Sequence, residues 1–155
     1  YAKTHLFSYA HEDHYLKAGE RVVTHKIGDI NFGLSVCYDL RFPELFSIMA
    51  SNCEAMIVIA NWPALRASHW QALLKARAIE NECIVFGVNR TGKDGNGIEY
   101  ERGSVMMMPD GTSEVPEYSF SVLDVYNVDK KQISKYRNNF STIQDKRFSL
   151  YGKYF

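Results

Sequence analysis

Apolar and polar positions along this chain follow two distinct periods. Residues 21–27 (RVVTHKI) and 30–36 (INFGLSV) are rich in β-branched and aromatic residues. The Gly-Asp pair at 28–29 between them predicts a hairpin turn. Residues 54–60 (EAMIVIA) are continuously apolar after Glu54, the pattern of a strand buried on both faces, and 83–89 (CIVFGVN) is again strand-like. Between these two, residues 64–82 change period: Trp70, Leu73, Leu74 and Ile79 recur at helical spacing, with Ser68 placed to cap the helix. A shorter helix is predicted over 43–51, opening on Pro43 and Glu44, which suit a first turn. Residues 92–97 (GKDGNG) read as a turn-rich loop. Strands over 100–108 and 119–126 bracket a turn at 109–111, and a modest amphipathic helix follows over 128–140. Strand, helix, strand, helix, strand and then paired strands is an α/β order.

Composition narrows this further. The chain has 155 residues, 46% hydrophobic, which suffices for one packed domain. Eighteen basic residues balance eighteen acidic ones, so no basic face advertises nucleic acid. The longest apolar run, Ala55 to Ala60, is too short to span a bilayer. Three cysteines (37, 53 and 83) with no CxxC spacing argue against a disulfide framework or a zinc site. They suit a reducing compartment such as the cytoplasm.

The stretch NFGLSVCYDLRFPEL (31–45) carries the chemistry worth weighing. Cys37 ends an apolar strand and precedes a charged, proline-containing corner. A small core thiol is the plain reading, since free cysteine is among the most buried residue types. The alternative is a nucleophile, which needs a base, a nearby cation or a helix N-terminus, because only the thiolate attacks. Arg41 and the helix predicted from Pro43 are close in sequence, and the N–H of Tyr38 lies next to the sulfur as an oxyanion donor.

CYDLRFPE (37–44) resembles the nucleophile motif of the nitrilase, or carbon–nitrogen hydrolase, superfamily. YAKTHLF (1–7) resembles that family's segment with the catalytic lysine. ANWPALRASHWQALLKARAIEN (60–81), VNRTG (88–92) and DGNG (94–97) continue the likeness in order and favour its bacterial omega-amidase branch. The resemblance implies a four-layer α-β-β-α sandwich and hydrolysis of a small ω-amide such as 2-oxoglutaramate through a cysteine thioester. It needs no metal and no cofactor. Carried over by motif, Cys37 is the nucleophile, Lys3 holds the oxyanion together with the Tyr38 N–H, and Glu12 is a supporting glutamate.

Each assignment has a plainer competitor. Lys3 could be a solvated surface lysine, and Glu12, among His11, Asp13 and His14, a solvated loop residue or part of a metal cluster. Arg41 and Glu44 are expected to form buried ion pairs that shape the corner. His69 and Glu80 are expected to be structural or interface residues, and Cys53 and Cys83 core thiols. The end of the strand at 55–60 places Asn61 and Trp62 where ligands sit in α/β sheets, and Arg66 offers a fork for a substrate carboxylate.

In one respect the chain departs from the family pattern. The family's general-base glutamate lies well upstream of its lysine, and only two residues precede Lys3. Residues 1–155 thus read as the C-terminal portion, about three-fifths, of a single carbon–nitrogen hydrolase domain whose missing segment would supply the base. A catalytically silent binding module of the same fold is the alternative from another class. A nitrilase or N-carbamoyl amidohydrolase keeps the family and changes the substrate. The resemblance also implies a homodimer, with 64–82 and 141–155 as contact elements.

Overall fold

A computed structural model describes residues 1–154, so that Phe155, the last residue of the tail expected to make contacts, lies outside the described residues. The hairpin at Gly28–Asp29 joins β1 (Thr24–Ile27) to β2 (Ile30–Val36). Gly28 has φ +62°, a left-handed value that glycine adopts without steric cost. A 3₁₀ turn, Cys37–Arg41, leads into α1 (Pro43–Met49). Then come β3 (Ala55–Ala60), α2 (Ala67–Asn81) and β4 (Ile84–Asn89). A small hairpin of β5 (Gly92–Lys93) and β6 (Glu99–Tyr100) precedes β7 (Val105–Met107). A second hairpin, β8 (Tyr118–Ser119) and β9 (Asp124–Val125), precedes α3 (Lys130–Asn139) and a last turn of helix, α4 (Phe148–Tyr151).

The main sheet has the order β1-β2-β3-β4-β7. Its three central strands are parallel, with Phe32 opposite Ala55 and Ala55 opposite Ile84, and its two edges are antiparallel. The crossovers α1 and α2 pack on one face. There Phe46, Met49, Trp70 and Leu74 bury Met56, Val58 and Val85. Two glycines let the helices come close. A Cβ on Gly87 would sit 2.3 Å from Leu74 Cδ1, and one on Gly33 would sit 2.9 Å from Met49 Sδ. Cys53 and Cys83 are buried thiols, as expected. Among the described residues, the opposite face is covered only at its lower end, where Ile133 of α3 seals Ile30, Ala55, Ile84 and Met106. Towards the C-terminal ends of the strands this face lies open: Ile59 is 52% and Val88 47% exposed. No helix of the described residues is long and apolar enough to cross a membrane.

Two expectations need correction. Ser68 does not cap α2. A 3₁₀ turn, Ala64–Arg66, winds directly into the helix, so Ser68 is already helical and the flanking residue is Arg66, with no side-chain cap. The segments 100–108 and 119–126 do not pair with each other. Val105–Met107 pairs with β4 instead, and just before it Trp70 Nε1 donates to Gly103 O at 2.6 Å while the Ser104 side-chain Oγ accepts from Asn89 N at 3.0 Å. The later segment folds on itself, with Ser119 Oγ donating to Asp124 Oδ1 at 2.6 Å across the hairpin.

Candidate active site

The parallel strands β2, β3 and β4 end along one edge of the sheet, and a cleft of about 1060 Å³ opens there. Such an edge is where α/β sheets place their ligands. Each strand delivers its side chains just past its last residue: Cys37 after β2, Asn61 and Trp62 after β3, Asn89 and Arg90 at the end of β4. Lys3 and Glu12, from the N-terminal segment, line the same cleft.

Cys37 has φ +49°, so the chain turns through a left-handed residue as it leaves β2. That conformation costs a non-glycine residue roughly 1–2 kcal/mol, and neighbouring contacts hold it. Asp39 accepts from Val36 N at 3.0 Å. The carbonyl of Leu40 accepts from Arg77 Nε at 3.1 Å and Nη2 at 2.7 Å. The Cys37 sulfur faces the Asn61 carbonyl oxygen at 3.9 Å. Burial pushes the thiol above its ordinary range, and the Lys3 charge and the Asn61 contact offset only part of this. The helix predicted from Pro43 is present, but the 3₁₀ turn intervenes between it and the sulfur.

Lys3 Nζ donates to Glu12 Oε2 at 2.6 Å, and its side chain is 11% exposed. It is therefore not a solvated surface lysine. The same carboxylate oxygen accepts from Phe7 N at 2.8 Å. Burial acts to raise the Glu12 carboxyl, but the hydrogen bonds from Lys3 and Phe7, with the Lys3 charge, outweigh it and hold the group below the usual glutamate range. The Lys3 ammonium lies 6.0 Å from the centroid of the Tyr38 ring. Of the residues flanking Glu12, His11 and His14 pack their rings 5.0 Å apart.

Trp62 is buried and forms a wall of the cleft, its indole N–H donating to Arg66 O at 2.8 Å. Asn61 and Arg66 line the same wall. Asn89 has no place among the residues predicted from sequence. Its side-chain oxygen accepts from Trp62 N at 2.8 Å and its amide donates to Trp62 O at 3.0 Å, fastening the loop after β3 to the end of β4. Its position at a strand end beside the Asn-Trp pair was the signal available. The buried ion pairs expected of Arg41 and Glu44 do not form among the described residues. Glu44 is exposed, and Arg41 instead lies over the Trp62 ring, 4.8 Å from its centroid, on the cleft wall. A cation held by an aromatic face keeps its charge available to the cleft. Glu80 is paired with Arg77 at 3.0 Å, while His69 is exposed.

A thiol, an ammonium and a carboxylate at one sheet edge are parts that acyl transfer uses. The family profile described as carbon-nitrogen hydrolase matches residues 1–119. The chain belongs to the carbon-nitrogen hydrolase family. Among relatives in that family, it is 40% identical over 148 residues to the omega-amidase YafV of Escherichia coli, covering 94% of this chain and 57% of that protein. It is 35% identical over 162 residues to the 2-oxoglutaramate amidase of Paenarthrobacter nicotinovorans, covering 98% of this chain and 53% of that one. The chain thus spans somewhat more than half the length of these relatives. In three dimensions it matches a CN-hydrolase superfamily protein of Xanthomonas campestris with a TM-score of 0.84 at 31% identity, over 94% of this chain and 57% of that one.

Proposed function

We propose that this protein hydrolyses a small-molecule ω-amide with a carboxylate at its far end, of the 2-oxoglutaramate kind, through a thioester on Cys37. The observation that carries the reading is the shared cleft: Cys37 and the Glu12-paired ammonium of Lys3 open into one cavity at the strand ends. The amidase names of the relatives support the reaction class. In the first step a general base takes the Cys37 proton and the sulfur bonds to the amide carbon. Lys3 and the Tyr38 N–H hold the resulting oxyanion. The C–N bond then breaks, and the proton leaves with ammonia. Water next adds to the thioester carbon, the C–S bond breaks, and a carboxylate and the thiol result. The raised thiol makes that base a necessity, and the family pattern assigns it to a glutamate upstream of Lys3. Glu12 keeps the Lys3 ammonium aimed.

Arginine supports the carboxylate preference. Arg41, Arg66 and Arg90 line the cleft, and a guanidinium fork suits a carboxylate. The open apolar patch around Ile59 and Val88 is where we place the remaining segment of a family domain, the segment carrying the base. A homodimer and a cytoplasmic location complete the proposal, the latter supported by three free cysteines.

Ammonia release by the intact protein tests the reading, with 2-oxoglutaramate, an aliphatic amide lacking the carboxylate, and a nitrile as substrates. The expected order is fast turnover of the first and little of the others. Cys37→Ala should abolish it, and Lys3→Met should lower it roughly 10²–10³-fold, the loss seen for one oxyanion donor. Undiminished turnover by Cys37→Ala, or preference for the nitrile, would contradict it.

A further inference from the structure

Lys3 sits in a segment with little regular structure of its own: the first helical turn, Ser8–Ala10, begins five residues later. Its position therefore depends on anchors. The Lys3 carbonyl accepts from Gly19 N at 2.8 Å, and Glu12 binds Phe7 N. Both tie the segment to the 12–19 loop and neither to the turn that carries Cys37. Asp39 makes that connection. Its side chain is fully buried and accepts four hydrogen bonds. Oδ1 accepts from His5 N at 2.8 Å and faces His5 Nδ1 at 2.9 Å. Oδ2 accepts from Tyr1 Oη at 2.8 Å and from Val36 N at 3.0 Å. A carboxylate only accepts, so Nδ1 of His5 carries the proton. The His5 ring lies flat on Phe42, with centroids 3.8 Å apart.

Three of these four donors belong to residues two before and two after Lys3. The fourth belongs to the residue just before Cys37. A buried carboxylate with four donors is rigid, because losing any one leaves an oxygen short of its partners. Resting on the functional reading above, we propose that Asp39 is a positioning residue: through Tyr1 and His5 it clamps the Lys3 segment onto the Cys37 turn and so fixes ammonium and thiol relative to one another. Plain packing makes a different prediction, in which the His5–Phe42 stack matters and the hydrogen bonds do not.

Two substitutions at His5 in the intact protein separate the two accounts. His5→Phe keeps the stack and removes the Nδ1 donor. His5→Asn loses the stack and puts an amide N–H near the same place. The clamp predicts that His5→Phe lowers kcat roughly 10–100-fold, the cost of a misplacement near an ångström, with KM changed less. It also predicts that the pH midpoint of Cys37 alkylation by iodoacetamide moves up towards that of Lys3→Met, a shift on the order of one unit for a displaced charge. His5→Asn should recover most of both. Tyr1→Phe, at the exposed edge of the network, should show the same changes more weakly, and it serves if either His5 variant fails to fold. A His5→Phe variant with wild-type kcat and alkylation profile overturns the clamp, as does a His5→Asn variant impaired as severely as His5→Phe. Lys3→Met is the reference: if it changes neither readout, the functional reading fails and the clamp falls with it. If Lys3→Met changes both and His5→Phe neither, only the clamp fails.

Discussion

Arg77 reaches from α2 to the turn that carries Cys37, and removing its guanidinium tests whether that reach holds the turn. The side chain is 5% exposed and places two donors on the carbonyl of Leu40, itself fully buried. It also stacks on Phe46, 5.4 Å from the ring centroid. Arg77→Met keeps the length and much of the packing but strips both donors. A buried carbonyl left without a partner costs about 1–3 kcal/mol. Against this, methionine removes the desolvation penalty of a buried cation, which in some proteins makes such a swap neutral or stabilising. The orphaned carbonyl wins here for two reasons. The counter-charge, Glu80, is 39% exposed and can be re-solvated, so its loss of partner weighs little either way. The Leu40 oxygen has no route to water. The net expectation is a loss of about 2 kcal/mol, which for a chain of this size is a fall in Tm of about 4–8 °C. Arg77→Lys should fall between, since one ammonium replaces a two-donor fork. Thermal melts followed by circular dichroism and urea titration of the intact protein give the comparison. A melting temperature unchanged or raised in Arg77→Met would refute the reasoning and show the Leu40 carbonyl to be served by something else.

Other consequences are checked more briefly. Gly87→Ala puts a methyl 2.3 Å from Leu74 Cδ1 and 2.8 Å from Trp70 Cζ2; such overpacking should cost about 1–3 kcal/mol, and a denaturation midpoint equal to wild type would count against the tight approach of α2. Native iodoacetamide labelling should modify Cys37 well before Cys53 or Cys83, both of which are buried, and peptide mapping reads this directly. Because burial raises the Cys37 thiol and Lys3 pulls it back down, Lys3→Met should move the alkylation midpoint upward, and a downward move would reverse the assigned sign. The folded-state carboxyl of Glu12 lies below its unfolded value, so its contribution to stability is present above about pH 4 and is lost as pH falls through the folded value. Glu12→Gln should flatten the acid limb of the stability–pH curve, and an unchanged limb would remove the Lys3–Glu12 pair from the account.

Much of this site could be read from residue types and their spacing. The apolar blocks ending at Val36 and Ala60 placed Cys37, Asn61 and Trp62 at strand ends, and the structure has them there. That works because a buried strand writes its burial directly into its sequence. The Asp39 clamp and the Asn89 fastening were hidden for the converse reason. Each joins segments 27 to 38 residues apart through polar side chains, and no local period records such pairing. Arg41 was misjudged because a charge in a corner suggests a carboxylate partner. The partner turned out to be the face of Trp62, a residue 21 positions on. Ser68 failed as a cap because the turn before the helix was itself helical, which local capping preferences do not anticipate.

Acid-quenched mass spectrometry of the intact protein mixed with 2-oxoglutaramate is the most direct test of the acyl transfer assigned to Cys37. The expected result is a transient mass increase equal to the substrate less ammonia, carried by the peptide containing Cys37 and absent from Cys37→Ala. Acylation of any other residue, or steady turnover with an unmodified Cys37 throughout, would contradict it.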